Sequence, residues 1–423
     1  MKEFELKGLD QNIFYEEIPN GLKVVLIPFK NKKNYYACYT TKYGSVNLDF
    51  VPKDSNKMMS SPMGIAHFLE HKLFEQESGE SPFEFFSKSG TGCNAGTSYK
   101  KTSYYIYGVN SLEENLDYLI SFVNSPYFTD TNVEKEKGII IEEIKMYDDN
   151  PEWILTEEVQ KSTFKNHPIR YDVAGYEDTV SKITKEDLYN CYNTFYSPNN
   201  MLLVVAGNFE PDKIMELIKS NKELNSKDKG QNIKQKDYKE PFEVNEKYKE
   251  IAFPNISIPK VATNIKLSLK DVKDKYEYST YIMALVSLMF GSSSDFKEEM
   301  LVKKYITSFS AGSMMVDDYF IIEFYAESEK PKDFIEKLID NFKNIKITKE
   351  QLERYKKVKI ASIVMNSDNV ESVSEDIIND YITWDKIIDN QIEIVRNMNI
   401  ECLNKIVEDL DIDNNATVVL KQK

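Results

Sequence analysis

A chain of 423 residues is longer than one hydrophobic core usually organises, and points to about two domains. Its apolar fraction of 41%, with 27 Tyr and 23 Phe, is ample for packed cores, and the absence of any apolar run of about 18 residues argues against a membrane span. A formal net charge of −15 speaks against adhesion to nucleic acid or to an anionic membrane surface, and leaves soluble partners or basic peptides open.

The N-terminal stretch MKEFELKGLDQN lacks the basic start and apolar core of a secretory signal, so the cytoplasm is the expected compartment. The cysteines Cys38, Cys93, Cys191 and Cys402 stand apart with no C-x-x-C pair, which argues against a zinc ribbon, a redox motif or a disulfide framework.

Along the chain, GLKVVLIPF and YYACYTTKYGS are rich in β-branched and aromatic residues and read as strands. Residues 63–75 carry apolar side chains at Ile65, Phe68, Leu69, Leu73 and Phe74, the spacing of a helix face, after start signals at Ser60, Ser61 and Pro62. A second helix begins in SPFEFFSKSG, and CNAGTSYKKTSYYIYGV has the alternation and turn residues of a strand pair. Residues 111–147 are helical in pattern. The stretch LNSKDKGQNIKQKDYKEPFEVNEKY is charged and poor in aliphatic residues, as a linker or long surface connection would be. Residues 1–223 and 246–423 are therefore expected as two domains joined through 224–245. The second half repeats the broad order of the first, with strand-like KVATNIKLSLK, helical YSTYIMALVSLMF, strand-like DYFIIEFYAES and helices beyond Lys330, which suggests an internal duplication.

The chemistry starts from GIAHFLEHKLFEQ. It holds two of the three histidines in the chain, one helical turn apart, so that His67 and His71 share a face and can offer two imidazole nitrogens to one zinc ion. Glu70 lies beside that face, where a general base is needed, and the order H-x-x-E-H is the inverzincin pattern. His167, before a proline in FKNHPIRYD, reads instead as structural. A catalytic zinc site needs a third protein ligand. The acidic helix EKEKGIIIEEIKMYDDNPEW offers Glu134, Glu136, Glu142 and Glu143. Most glutamates in such runs face solvent, but Glu136 and Glu143 are two turns apart on one face, so that one could ligate while the other orients that ligating carboxylate.

GIAHFLEHKLFEQ, followed by EKGIIIEEIKMYDDNPEW and then by HPIRYDVAGYEDTVSKITKEDLYNCYNTFYSPNNMLLVVAGNF, resembles the M16 peptidases, the group of pitrilysin, insulysin and mitochondrial processing peptidase. The length and two-part layout are similar to the short subfamily. The resemblance implies an α+β fold of two similar domains, each a mostly antiparallel sheet packed by helices (the LuxS and processing-peptidase type of metallohydrolase). It also implies that two such chains enclose a chamber. It makes His67, His71 and Glu143 the zinc ligands, Glu70 the base acting on a zinc-bound water, and Glu136 the nearby glutamate that supports Glu143. It likens the strand of CNAGTSYKKTSYYIYG to the edge on which the family lays its peptide substrate, with Asn94, Ala95 and Gly96 nearest the metal.

The second half departs from that pattern. Many members carry an arginine and a tyrosine in a segment like L-R-E-K-G-L-x-Y, which reach the substrate across the chamber. In EEMLVKKYITSFSAG the arginine position falls on Val302 and the tyrosine position on Ser308 or Phe309, with Tyr305 out of register. Developing negative charge needs donors beside the metal. The expected partner is therefore a related chain without the zinc motif that supplies the pair, or else a second copy of this chain. The expected activity is zinc-dependent hydrolysis of unfolded peptides. The rivals are an inactive subunit of the same family and a module with structural zinc, for which Cys93 is the nearest distant candidate as fourth ligand.

Overall fold

The computed structural model describes residues 1–344 and 346–423, and folds them around two large sheets, with a short two-stranded ribbon of Asp49–Phe50 and Met59–Ser60 in addition. The first has seven strands in the order Lys2–Glu5, Asn12–Glu17, Lys23–Pro28, Met201–Gly207, Tyr35–Thr41, Thr102–Gly108, Gly92–Thr97. Its neighbours are antiparallel except Lys23–Pro28 and Met201–Gly207, which run parallel. The central strands YYACYTT and MLLVVAG are buried along their whole length, as unbroken apolar runs covered on both faces must be. One face packs on the helices Ile65–Leu73, Leu112–Val123 and Lys185–Phe195. The other is covered by the helix Val370–Trp384, which lays Val370, Val373, Ile377, Ile378 and Tyr381 on Val25, Ile27, Tyr36, Cys38 and Val204.

The second sheet has the order Tyr248–Phe253, Asn415–Gln422, Lys260–Ser268, Tyr319–Glu327, Ser308–Val316, again with one parallel pair at its start and antiparallel pairs after it. These five strands repeat the order and sense of the last five in the first sheet, which gives the suspected duplication a topological basis. The edge strand Gly92–Thr97 corresponds to Ser308–Val316. One face of the second sheet packs on Lys275–Phe290 and Pro331–Lys343, around Phe290, Phe309, Phe324 and Phe342. The other carries Leu155 and Val159 of the helix Pro151–Thr163 on Ala262, Val418 and Leu420. The mostly antiparallel α+β architecture is the one the sequence led us to expect. Among the described residues, no helix is long and apolar enough to cross a membrane.

Two compact units result, and they do not follow the two halves of the chain. One comprises Met1–Lys145, Asp172–Asp237 and Val364–Asn390. The other comprises Met146–Tyr171, Tyr238–Ile363 and Gln391–Lys423. The difference from unbroken domains at 1–223 and 246–423 has a simple cause: each sheet takes, on its outer face, a helix that comes from the opposite half of the sequence. Nor is 224–245 a free tether. Lys234 O accepts from Val51 N at 2.9 Å. Glu240 is buried with Lys266 at 2.7 Å and accepts the backbone N–H groups of Lys165, Asn166 and His167.

Glu323 lies on the outer face of the second sheet, where it accepts from the fully buried Gln160 at 3.1 Å. Burial pushes its carboxyl up to about 7, and the Gln160 hydrogen bond only partly offsets this. A folded state that holds this proton above the ordinary carboxylate range is favoured in full below about 4.5, and loses that contribution as pH rises through about 7. In urea titrations at pH 4.5 and pH 8, Glu323→Gln is expected to shrink the drop in stability between the two. An unchanged drop would place the proton elsewhere.

Candidate metal centre

The site begins at a glycine. Gly64 precedes the helix Ile65–Leu73 with φ 86°, and a Cβ there would lie 2.3 Å from Ala174 O. Gly175 closes the same contact from the other side, with φ 77° and room for no side chain against Met63 O. HPIRYDVAGYE thus contributes the loop that fixes where the histidine helix starts. From there the 3.6-residue period does the sorting: Ile65, Phe68, Leu69 and Leu73 enter the core, while His67 and His71 come to one side with ring centroids 4.6 Å apart.

The helix Asp130–Asp148 faces them. Val133, Ile140 and Ile144 anchor it, and the same face presents Glu136 and Glu143. The stretch expected as one helical run over 111–147 is broken at 124–129 into this helix and Leu112–Val123, which allows the acidic helix its own direction. Glu143 places Oε1 3.8 Å from His67 Nε2 and Oε2 3.7 Å from His71 Nε2. Glu136 Oε1 lies 3.1 Å from His71 Nδ1, the opposite ring nitrogen. Glu134 and Glu142 point away and pair with Lys137 and Lys145 at 2.9 and 3.0 Å.

His67, His71 and Glu143 can each offer one ligand atom with all three within 4.8 Å of one another, and they are the single group of its kind among the described residues. Two imidazoles and a carboxylate suit zinc, and three ligands leave one position open, as in a catalytic rather than a closed site. The fit is supported by His67 itself. Its Nδ1 is buried without a hydrogen-bond partner, and its Nε2 lies beyond hydrogen-bond reach of Glu143. A buried imidazole with no close partner on either ring nitrogen is costly, and a cation at Nε2 would supply one of the two that are missing. Burial, reinforced by His71, lowers the His67 ring to about 4, so its lone pair is available at neutral pH. Burial also acts to lower His71, but the Glu136 hydrogen bond and the charges of Glu70, Glu136 and Glu143 outweigh it and raise this ring.

Glu70 is buried under the edge strand. Desolvation raises its carboxyl above the usual range, against the hydrogen bond from Thr97 and the charge of His71, with Glu143 adding to the rise. Thr97 Oγ1 donates to Glu70 Oε2 at 2.6 Å. This residue was missed in the sequence, because a threonine at the end of a strand carries no motif signal, and only the pairing of Gly92–Thr97 beside the helix brings it to Glu70. Asn94, Ala95 and Gly96 lie on the same strand, which pairs with Thr102–Gly108 on one side and ends the sheet on the other. Asn94 and Gly96 are exposed, and a Cβ at Gly96 would meet nothing within 4 Å.

Cys93 does not join the metal group, and burial pushes its thiol up to about 12, which disfavours the thiolate a metal would need. His167 caps a turn instead: its Nδ1 accepts from Ile169 N at 3.1 Å and its Nε2 lies 3.3 Å from Asp317. At the positions where the sequence lacks Arg and Tyr, Val302 is 73% exposed, Ser308 opens the strand Ser308–Val316, and Phe309 stacks on Phe324 inside the second core. Tyr305 packs at the edge of that core, with Lys330 and Lys337 over its ring.

Comparison with known proteins points to one family. Residues 59–176 match the family described as insulinase (peptidase family M16), and residues 182–359 match the one described as peptidase M16 inactive domain. The chain is 41% identical over 329 residues to the uncharacterized zinc protease YmfH of Bacillus subtilis, over 77% of this chain and 74% of that protein. It is 24% identical over 380 residues to the zinc protease YmxG of the same organism, over 84% and 88% of the two. Among solved structures it is similar to an M16-like peptidase from Alicyclobacillus acidocaldarius, with a TM-score of 0.91, 28% identity, and coverage of 98% and 99%. A Helicobacter pylori protease, at 21% identity and a TM-score of 0.83 over 97% and 99% of the two chains, shares the fold.

A ligand that binds only the folded state stabilises it by about 2.7 kcal/mol at 100 times its dissociation constant. Zinc added to metal-free protein is therefore expected to raise the Tm of the unit that holds the histidines by several degrees, at about 2–4 °C per kcal/mol for a unit of this size. His71→Ala should abolish that rise in differential scanning calorimetry, and an equal rise in the variant would move the metal elsewhere.

Proposed function

The chain belongs to peptidase family M16, and from that premise we propose that it is a zinc-dependent endopeptidase of unfolded peptides, with His67, His71 and Glu143 as ligands and Glu70 as general base. The observation that carries this reading is the meeting of three parts in one place: a three-membered donor set, a buried carboxylate beside it, and an open strand edge hydrogen-bonded to that carboxylate through Thr97. Zinc in such a site supplies Lewis acidity, polarising a carbonyl and acidifying water.

The protein's own residues supply the rest. A peptide laid along Gly92–Thr97 would add a strand, with the backbone of Asn94, Ala95 and Gly96 giving affinity without demanding a side-chain sequence. Glu70, raised by burial towards the working pH, takes a proton from water and passes it to the leaving amine. Thr97 couples this base to the strand that would hold the substrate, so that binding and proton transfer share one register. Glu136, bonded to the far nitrogen of His71, holds that ring's orientation.

A second feature bears on how the enzyme works. With a valine at 302 and a serine at 308, the second unit has neither of the donors that related chains bring to the substrate carbonyl, and one such donor is worth about 10²–10³ in rate. We therefore expect full activity only in a pair, with a related chain that lacks the zinc motif as the partner and a homodimer as the other arrangement.

The test is hydrolysis of a quenched-peptide library by the zinc-loaded chain across a concentration series, beside Glu70→Gln. The variant is expected to keep its zinc and lose about 10²–10⁴ in rate, the usual contribution of a positioned base. Near-normal turnover by Glu70→Gln would remove Glu70 from this role. Zinc-loaded wild type that is inactive at every concentration would favour the unlike partner over the homodimer.

A further inference from the structure

Beside His71, on the histidine helix, sits a lysine that the proposed chemistry does not use. The Lys72 side chain is 0% exposed, and its ammonium pairs with two carboxylates, Glu75 one turn on and Glu136 Oε2 at 3.7 Å. Glu75 is 42% exposed and Glu136 only 13%. The other oxygen of Glu136, Oε1, is the one bonded to His71 Nδ1. Lysine is almost never fully buried, and exchanging a buried ion pair for apolar residues of similar volume is often neutral or stabilising. Packing alone is therefore a weak reason for an ammonium here, where a methionine could fill the same space.

We propose that Lys72 is a positioning residue for the metal site: through Glu136 it fixes the ring orientation and tautomer of His71, so that Nε2 faces Glu143. The geometry divides the labour within one carboxylate. Lys72 engages Oε2, so Glu136 is drawn to one rotamer and presents Oε1 to Nδ1–H, which leaves the lone pair of His71 on Nε2, 3.7 Å from Glu143. The lysine also supplies a fixed positive charge where Glu70, Glu136 and Glu143 converge on two rings. Without it, the mostly buried Glu136 would keep the His71 hydrogen bond and the weaker charge of Lys135, and neither rotamer nor tautomer would be held from behind.

This inference rests on the zinc reading above, and two readouts keep their failures apart. The first is zinc affinity by chelator competition for wild type, Lys72→Met, Glu136→Gln and the double variant. Each single variant is expected to bind zinc about tenfold or more weakly, the usual cost of losing a residue that orients a ligand, and the double variant no more weakly than Glu136→Gln. Lys72→Met within twofold of wild type, or a further tenfold loss in the double variant over Glu136→Gln, would overturn the proposal. Should Lys72→Met fail to fold, the double variant, which leaves no unpaired buried charge, decides alone. The second readout needs no metal. Ring ¹⁵N shifts of His71 at alkaline pH should report the Nδ1–H tautomer in wild type and a mixture in Lys72→Met. An unchanged tautomer would overturn the proposal, whereas a wild type that takes no zinc but shows the tautomer change would sink the zinc reading and leave Lys72 in its role.

Discussion

Three carboxylates converge on two imidazoles in a half-buried place, and the rest of the site follows from how that crowding is relieved. Glu70, Glu136 and Glu143 together raise His71, while His67, more deeply buried and facing the neighbouring ring, is driven the other way. Two histidines one turn apart thus differ in proton affinity because burial dominates at His67, while at His71 a carboxylate on the far nitrogen and the neighbouring charges outweigh it. Such an arrangement stores negative charge and unsatisfied lone pairs that a divalent cation would satisfy together. Glu70 stands outside the donor set because it projects beside the shared face of the histidines and is held by Thr97 instead.

Holding these groups in place is the task of the first sheet. The histidine helix is anchored by its apolar face and by the close approach of Gly64 and Gly175, and the acidic helix by Val133, Ile140 and Ile144. The edge strand Gly92–Thr97 then brings an unpaired backbone edge and the Thr97 hydroxyl to the same region. An open strand edge, a buried carboxylate and a three-membered donor set are therefore positioned by elements that share one core, so a disturbance of that core would be felt by all of them. The second sheet repeats the same five-strand order with no metal group of its own among the described residues. There the strand that corresponds to the edge strand carries Phe309 into the core.

Strong periodicity made the histidine helix, the strand pair of residues 92–108 and the alternation of elements in the second half legible from sequence. Other elements were not, for identifiable reasons. MLLVVAG is buried on both faces, so its apolar run shows no alternation, and its parallel partner Lys23–Pro28 lies almost 180 residues earlier. The acidic helix was read as continuous with its predecessor because the local pattern is helical on both sides of 124–129. The exchange of outer helices between the two compact units leaves no local mark, since Val370–Trp384 is simply amphipathic until the sheet it covers is known.

By itself the sequence determined the chemistry on offer: H-x-x-E-H at helical spacing specifies two imidazoles on one face with a carboxylate beside them, because a helix has a fixed period. It also narrowed the third ligand to Glu136 or Glu143, two turns apart on a second helix. Geometry alone could not choose between them there, because both lie on the same face. The tertiary structure decided which carboxylate meets both Nε2 atoms and which meets Nδ1, since that depends on where one helix lies against another. It alone brought Thr97 to Glu70 and buried Lys72 against Glu136. Both contacts join segments 27 or more residues apart, and no local pattern records such a pairing.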